Sequence, residues 1–303
     1  MVNVFLTGST GYLGSTFLLH APKNWNIFCF GRSRPPFPLP ENAEWIPGDL
    51  RSEHATIIIP EETDTIIHLA GIKGSGACIT NPSDAITTNI IGTHNLLQAA
   101  KNKEIQKIIF ASTYWVYGET GRVPFEEAMA LAPSDLYGLT KAVSEIEIQS
   151  SGIDYQILRF ANVFGMGSGI RPEEVVYYFI RSASKGDAIR LEHGGYQEID
   201  LIDVSDVCSV LRAAVENRTQ SNVIINVGSG IPRSIQSIGH FIQEVFQNKY
   251  NRNVPIIFDH PDPVRTIRRF VSLKKFRIAF PDIKLKPFEE AVENYIDDVV
   301  GAR

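Results

Sequence analysis

The chain has 303 residues, 44% hydrophobic and 21% charged, with a formal net charge of -5, which suits a soluble globular protein of one large domain or two unequal lobes. The acidic balance and the lack of a basic run exclude nucleic acid as the expected partner, and no apolar stretch reaches the roughly 18 residues of a membrane span. Cys29, Cys78 and Cys208 lack metal-ligand spacing and read as buried thiols in a reducing compartment. With no charged leader before its first strand, the chain is read as cytoplasmic.

Val2, Val4, Phe5 and Leu6 predict a short buried strand, and residues 15–20 the start of a helix. Between them lies Thr7-Gly8-Ser9-Thr10-Gly11-Tyr12-Leu13-Gly14. Backbone N–H groups at a helix N-terminus can hold a pyrophosphate, provided no Cβ keeps the backbone away from it. The same glycines would also serve a plain strand-to-helix turn, so the rest of the chain must decide.

Residues 26–30 form the second predicted strand, followed by Gly31-Arg32-Ser33-Arg34, with no acid before Glu41. In a dinucleotide-binding fold a carboxylate here selects a free ribose 2′-OH and an arginine a 2′-phosphate. Arg32, and with it Arg34, therefore favours NADP over NAD, against the reading of two solvated loop arginines. Pro35, Pro36, Pro38 and Pro40 make a stiff surface loop.

A strand at 65–69, a helix at 81–101 with Pro82 near its start, and a strand at 108–112 follow at the rhythm of a doubly wound parallel sheet. The second half holds a strand at 155–160, the glycine-rich run 165–169, a helix at 175–184, a strand at 222–226 and a helix at 235–246. Prolines 255, 261, 263, 281 and 287 break the tail into short pieces. The fold class is α/β: a Rossmann-type sheet over 1–164, to which 200–227 return, and a smaller substrate lobe built from 165–199 and 228–303.

In Tyr137-Gly138-Leu139-Thr140-Lys141 the tyrosine and lysine are four apart and share one face of a helix. Free tyrosine, with a pKa near 10, is a poor base at neutral pH, and a nearby cation favours its phenolate. Lowering that pKa by about three units needs about 4 kcal/mol, which one charge pair at about 4 Å supplies at an effective dielectric near 20. The spacing equally fits an amphipathic helix with a surface lysine.

Taken together, Gly8, Gly11, Gly14, Tyr137 and Lys141 resemble the extended short-chain dehydrogenase/reductase family, in its NAD-dependent epimerase/dehydratase group, which works mainly on nucleotide sugars. Gly48-Asp49-Leu50, His68-Leu69-Ala70, Asn89 with Gly92-Thr93, 109–113 with Val116-Tyr117-Gly118, 159–165 and 202–207 agree in order. The resemblance implies that Tyr137 is the general base or acid at a sugar hydroxyl, with Lys141 on the nicotinamide ribose and Thr113 on the reacting oxygen. It also implies cofactor contacts from Gly8, Thr10, Gly11, Tyr12, Leu13, Gly14, Arg32, Asp49, Leu50, Leu69, Ala70 and Gly71. The resemblance further implies substrate contacts at Thr113, Asn162 and Arg265, with Arg268 and Arg269 nearby, and a homodimer through helices 81–101 and 137–150, in the second of which Val143, Ile146 and Ile148 are apolar.

Two departures matter. Where dehydratases of the family carry Asp-Glu after the threonine, this chain has Tyr114 and Trp115, which cannot trade the protons of water loss, so no 4,6-dehydratase is expected. Where an arginine usually precedes Asp200 to hold a diphosphate, this chain has Ile199. The leading expectation is 4-keto reduction or 4-epimerisation of a nucleotide sugar. Reduction of a small non-sugar carbonyl compound and a dinucleotide sensor without turnover are the alternatives. If Arg32 meets a 2′-phosphate, the apo protein will bind NADPH more tightly than NADH in a fluorescence titration; equal affinities would make Arg32 a surface residue.

Overall fold

The computed structural model describes residues 2–53, 57–167, 174–217, 220–259 and 267–301; Ser168, Gly169, Pro261, Pro263 and Arg265 of the sequence reading lie outside them. The order is β1 (Val2–Thr7), α1 (Tyr12–His20), β2 (Trp25–Gly31), β3 (Ala43–Pro47), β4 (Thr65–His68), α2 (Ser75–Thr80), α3 (Pro82–Ile86), a π turn (Thr87–Ile91), α4 (Gly92–Asn102) and β5 (Lys107–Thr113). A 3₁₀ turn (Tyr114–Tyr117) leads to α5 (Leu136–Gln149), β6 (Asp154–Phe160), β7 (Asn162–Phe164), α6 (Val175–Lys185), β8 (Ile189–Glu192), β9 (Glu198–Asp203) and α7 (Val204–Glu216). The chain ends with β10 (Val223–Val227), β11 (Pro232–Ser234), α8 (Ile235–Tyr250), β12 (Ile256–Asp259), β13 (Arg268–Arg269), α9 (Lys274–Ala279) and α10 (Phe288–Gly301).

Seven strands form one sheet in the order β10-β6-β5-β4-β1-β2-β3, and every pairing is parallel. Such a sheet is covered on both faces, hence the near-continuous apolar runs of its strands. Phe17, Leu18, Val207, Leu211, Phe276 and Phe280 cover one face; Leu96, Leu97, Ala100 and Ile148 cover the other. Each fully buried Phe or Leu contributes about 1.5–3 kcal/mol, so these two layers dominate the stability of the sheet. The strand order reverses between β1 and β4, which opens a crevice at their carboxyl ends. Thr7 and His68 are paired there, with Phe110 next to His68.

The helix read at 81–101 is divided by the π turn. The Asn89 carbonyl accepts from Thr93 Oγ1 at 2.6 Å and Ser144 Oγ at 2.8 Å, so side chains compete for an oxygen that a regular helix would use in its ladder. Residues 228–303, read as part of the smaller lobe, also divide. Ile238, Ile242, Phe246, Phe288, Val292 and Ile296 join Phe164, Val176 and Phe179 in a second core, whereas α9 lays Phe276 and Ala279 into the first.

A small sheet lies apart from the large one: β9 pairs with β7 and β13 in parallel and with β11 antiparallel. Its hub is Asp200, fully buried. It accepts from Ser229 N and Oγ, Gly230 N and Val271 N at 2.7–3.2 Å. Asparagine offers one acceptor oxygen and turns an NH₂ toward donors. Asp200→Asn will therefore destabilise the fold by about 3 kcal/mol, read as a lower urea midpoint at unchanged slope.

Candidate active site

The three loop glycines do different work. Gly8 has φ +79, and a Cβ there would stand 2.6 Å from Ala70 N on the strand side. On Gly14 it would stand 2.2 Å from Gly8 O, so the missing side chain lets α1 press onto the turn. At Gly11 it would meet only Gly8 O at 3.3 Å, leaving the middle of the loop open to a ligand. Gly11 also caps α1 without a side-chain acceptor, so the first-turn N–H groups face outward. This cradle fits a pyrophosphate.

Behind it runs a buried polar chain. Thr93 Oγ1 donates to Asn89 O and must therefore accept from His68 Nε2 at 3.0 Å. The other ring nitrogen, Nδ1, is then the acceptor for Thr7 Oγ1 at 2.7 Å, which itself accepts Ala70 N. His68 is thus the neutral Nε2–H tautomer, and burial, helped by the charge of Lys141, drives its pKa down to about 3. Asn89 clamps the loop after β4: Oδ1 accepts Ile72 N at 2.7 Å, while Nδ2 reaches Ile72 O and Thr140 Oγ1 at 3.0 Å.

Asp135 caps α5 by accepting Gly138 N at 2.7 Å, and Ser75 Oγ on α2 donates to the same carboxylate. A Cβ on Gly138 would lie 2.6 Å from Trp115 O, so glycine inside the Tyr-Lys motif lets α5 close on the turn that follows Thr113. Tyr137 is buried against Cys78, Ala85 and Trp115. Lys141 is 5% exposed, donates to Ala111 O at 2.8 Å, lies 4.5 Å over the Phe110 ring, and would be 3.6 Å from a Cβ on Gly71. Burial pulls its pKa down to about 8, opposed chiefly by Glu145.

Thr113 ends β5 with 5% exposure, and its hydroxyl accepts Trp115 N at 3.3 Å. Tyr114, nearly buried, accepts from Asn162 Nδ2 at 2.6 Å. Arg269 lies 4.4 Å over Trp115 and pairs with Glu119 at 2.7 Å, while Arg268 turns away to Glu198. At the other end of the crevice Arg32 is exposed. Asp49 is gripped by Arg51 at 2.8 Å, which holds its carboxyl below the usual range with a smaller contribution from Arg32. Leu50 is buried beneath the sheet and its carbonyl accepts from Asn95 Nδ2 at 2.9 Å. Thr10 is exposed and Leu13 half-buried. Tyr12 donates to Gly165 O at 2.9 Å, roofing the loop, and Leu69 and Ala70 follow β4 beside Thr7.

Ser75, Gly138, Glu145 and Arg159 were not singled out as site residues from sequence. Only Glu145 carried a signal there: an acid four residues beyond Lys141 on the same face. Among the described residues no group of three or more His, Cys, Asp or Glu could hold a metal ion, no helix is long and apolar enough to cross a membrane, and all three cysteines are buried thiols.

A family model described as the NAD dependent epimerase/dehydratase family matches residues 4–228. The UDP-N-acetyl-alpha-D-glucosaminuronate decarboxylase of Bacillus cytotoxicus is 30% identical over 79% of both chains. The UDP-glucose 4-epimerase of Halalkalibacterium halodurans is 26% identical over 80% of both. The structure of UDP-glucuronic acid 4-epimerase from Bacillus cereus, in complex with UDP-glucuronic acid and NAD, superposes with a TM-score of 0.84 at 21% identity over 100% of both chains.

The neutral His68 has a consequence in acid. Its folded pKa lies below the unfolded value near 6.5, so stability is unaffected above that pH and falls as pH drops from about 6.5 toward about 3. Between pH 6.5 and pH 5 this costs about 2 kcal/mol. Urea titrations at the two pH values will show that loss in the wild type and a smaller one in His68→Gln.

Proposed function

The chain belongs to the NAD dependent epimerase/dehydratase family, and from that premise we propose that it exchanges hydride at C4 of a nucleoside-diphosphate sugar, as a 4-epimerase. The observation that carries the reading is Tyr137 and Lys141 on one buried face of α5, with the Lys141 ammonium beside Gly71 and under the end of β5. The relatives named UDP-glucose 4-epimerase and UDP-N-acetyl-alpha-D-glucosaminuronate decarboxylase support the substrate class.

A nicotinamide dinucleotide, when bound, supplies the hydride acceptor and donor. The glycine loop and the first turn of α1 would hold its pyrophosphate, Asp49 and Leu50 would lie along the adenine, and Lys141 would meet the nicotinamide ribose. The Tyr137 oxygen takes the proton of the C4 hydroxyl and later returns it, Thr113 hydrogen-bonds that same oxygen, and Lys141 offsets the negative charge on the tyrosine. Asn162 would face the substrate. With Tyr114 and Trp115 in place of carboxylic acids, no group there can expel water from the sugar.

A second reading, an NADPH-dependent 4-ketoreductase, is favoured by one observation: Arg32 is exposed at the end of β2 on a loop without acid before Glu41. For either reaction we place the protein in the cytoplasm, since three buried thiols suit a reducing compartment. We also propose a homodimer through α3, the π turn, α4 and α5, where Ile86, Ile91, Leu139 and Ile146 are exposed; Ile148 is core, with no exposure.

The first assay is chromatography of the chain with UDP-glucose and no added cofactor, for which we expect UDP-galactose and no dehydrated product. Tyr137→Phe will lower kcat by about 10²- to 10⁴-fold while leaving dinucleotide affinity intact, and sedimentation at micromolar concentration will give a dimer. NADPH consumption with a UDP-4-ketohexose, without epimerisation, would select the second reading. Neither activity would refute both.

A further inference from the structure

Beyond the catalytic pair, α5 continues to Glu145, one turn past Lys141 on the same face. Glu145 has a fully buried side chain, and that of Arg159 on β6 is 2% exposed. Arg159 Nε reaches the two carboxylate oxygens at 3.0 and 3.2 Å, Nη2 reaches Oε2 at 2.6 Å, and Ser112 Oγ donates to Oε1. Arg159 Nη1 donates to the Tyr117 hydroxyl at 2.8 Å and to Glu127 O at 3.3 Å, and Tyr117 donates to Asn226 Oδ1 at 2.7 Å.

A buried ion pair of this kind is a weak source of stability, because desolvation offsets most of its attraction. Its position has more to say. Ser112 immediately precedes Thr113, and Glu145 follows Lys141 by one turn, so the pair ties β6 to the strand β5 and the helix α5 that carry Thr113, Tyr137 and Lys141.

We infer that Glu145 is a positioning residue: held by Arg159 and Ser112, its carboxylate keeps the buried Lys141 charged and in place next to Tyr137. The groups that face Lys141 leave this task to Glu145. From β4 comes His68, which is neutral; from β5 the Phe110 ring and the Ala111 carbonyl; from α2 the Cys78 thiol; from its own helix Tyr137 and Glu145. Glu145 lies one turn past Lys141 on the same helix, whereas Arg159 reaches the carboxylate from β6, and the negative charge of Glu145 favours the Lys141 ammonium.

This inference deepens the reading of Tyr137 and Lys141 given above and rests on it. Its test uses the whole protein without substrate: NMR titration of the Lys141 side chain in ¹³C-lysine-labelled protein. Glu145→Gln alone leaves Arg159 unpaired and risks the fold, so the decisive variant pairs Glu145→Gln with Arg159→Gln, which removes both charges and keeps hydrogen-bonding groups. Lys141 titrates near 8 in the wild type; in the paired variant it will titrate lower by about one pH unit, and Glu145→Asp will restore it. The alkaline fall of kcat will move down in pH with it. An unmoved Lys141 titration in the folded paired variant overturns the inference. A lowered titration with an unmoved rate profile keeps Glu145 as the support of the charge and instead removes Lys141 from catalysis.

Discussion

The ammonium of Lys141 is almost wholly withdrawn from water, and the surrounding structure answers that constraint. A charge in a low-dielectric site loses its hydration and must be repaid by acceptors and opposite charge close at hand. The Ala111 carbonyl, the Phe110 ring face and the Glu145 carboxylate supply them from two elements. Each works only if α5 lies tight against β5, so the charge and the packing depend on one another.

That tightness is made by backbone approaching backbone. Gly138 admits the Trp115 carbonyl where a Cβ would collide, Gly14 admits Gly8, and Gly8 admits the Leu69-Ala70 backbone that follows β4. Between these contacts a line of fully paired polar groups, Thr7, His68, Thr93, Asn89 and Thr140, runs from the glycine loop to the Tyr-Lys helix. Satisfied networks of this kind rigidify a site, whereas an unpaired member would be costly. The glycine loop and the helix that carries Tyr137 and Lys141 are thereby held as one body.

The rim of the crevice has a different chemistry. Tyr114 takes the Asn162 amide as a hydrogen-bond partner, and Trp115 lies beneath Arg269. This is an aromatic wall with one guanidinium over it, itself paired with Glu119.

Much was determined by the sequence alone. The glycine spacing after an apolar strand, the alternation of strands and helices, and Tyr137 four residues before Lys141 name a parallel sheet, a phosphate cradle and a shared helix face, because these patterns follow from short-range geometry. Only the tertiary structure decided the rest. The π turn at Asn89 arises from a Ser144 hydroxyl on another helix, the tautomer of His68 from two threonines far from it in sequence, and the setting of Glu145 from an arginine on β6. Local pattern can say which face a residue lies on. What stands opposite that face is fixed by long-range packing, and in this chain the protonation state of each buried group depends on it.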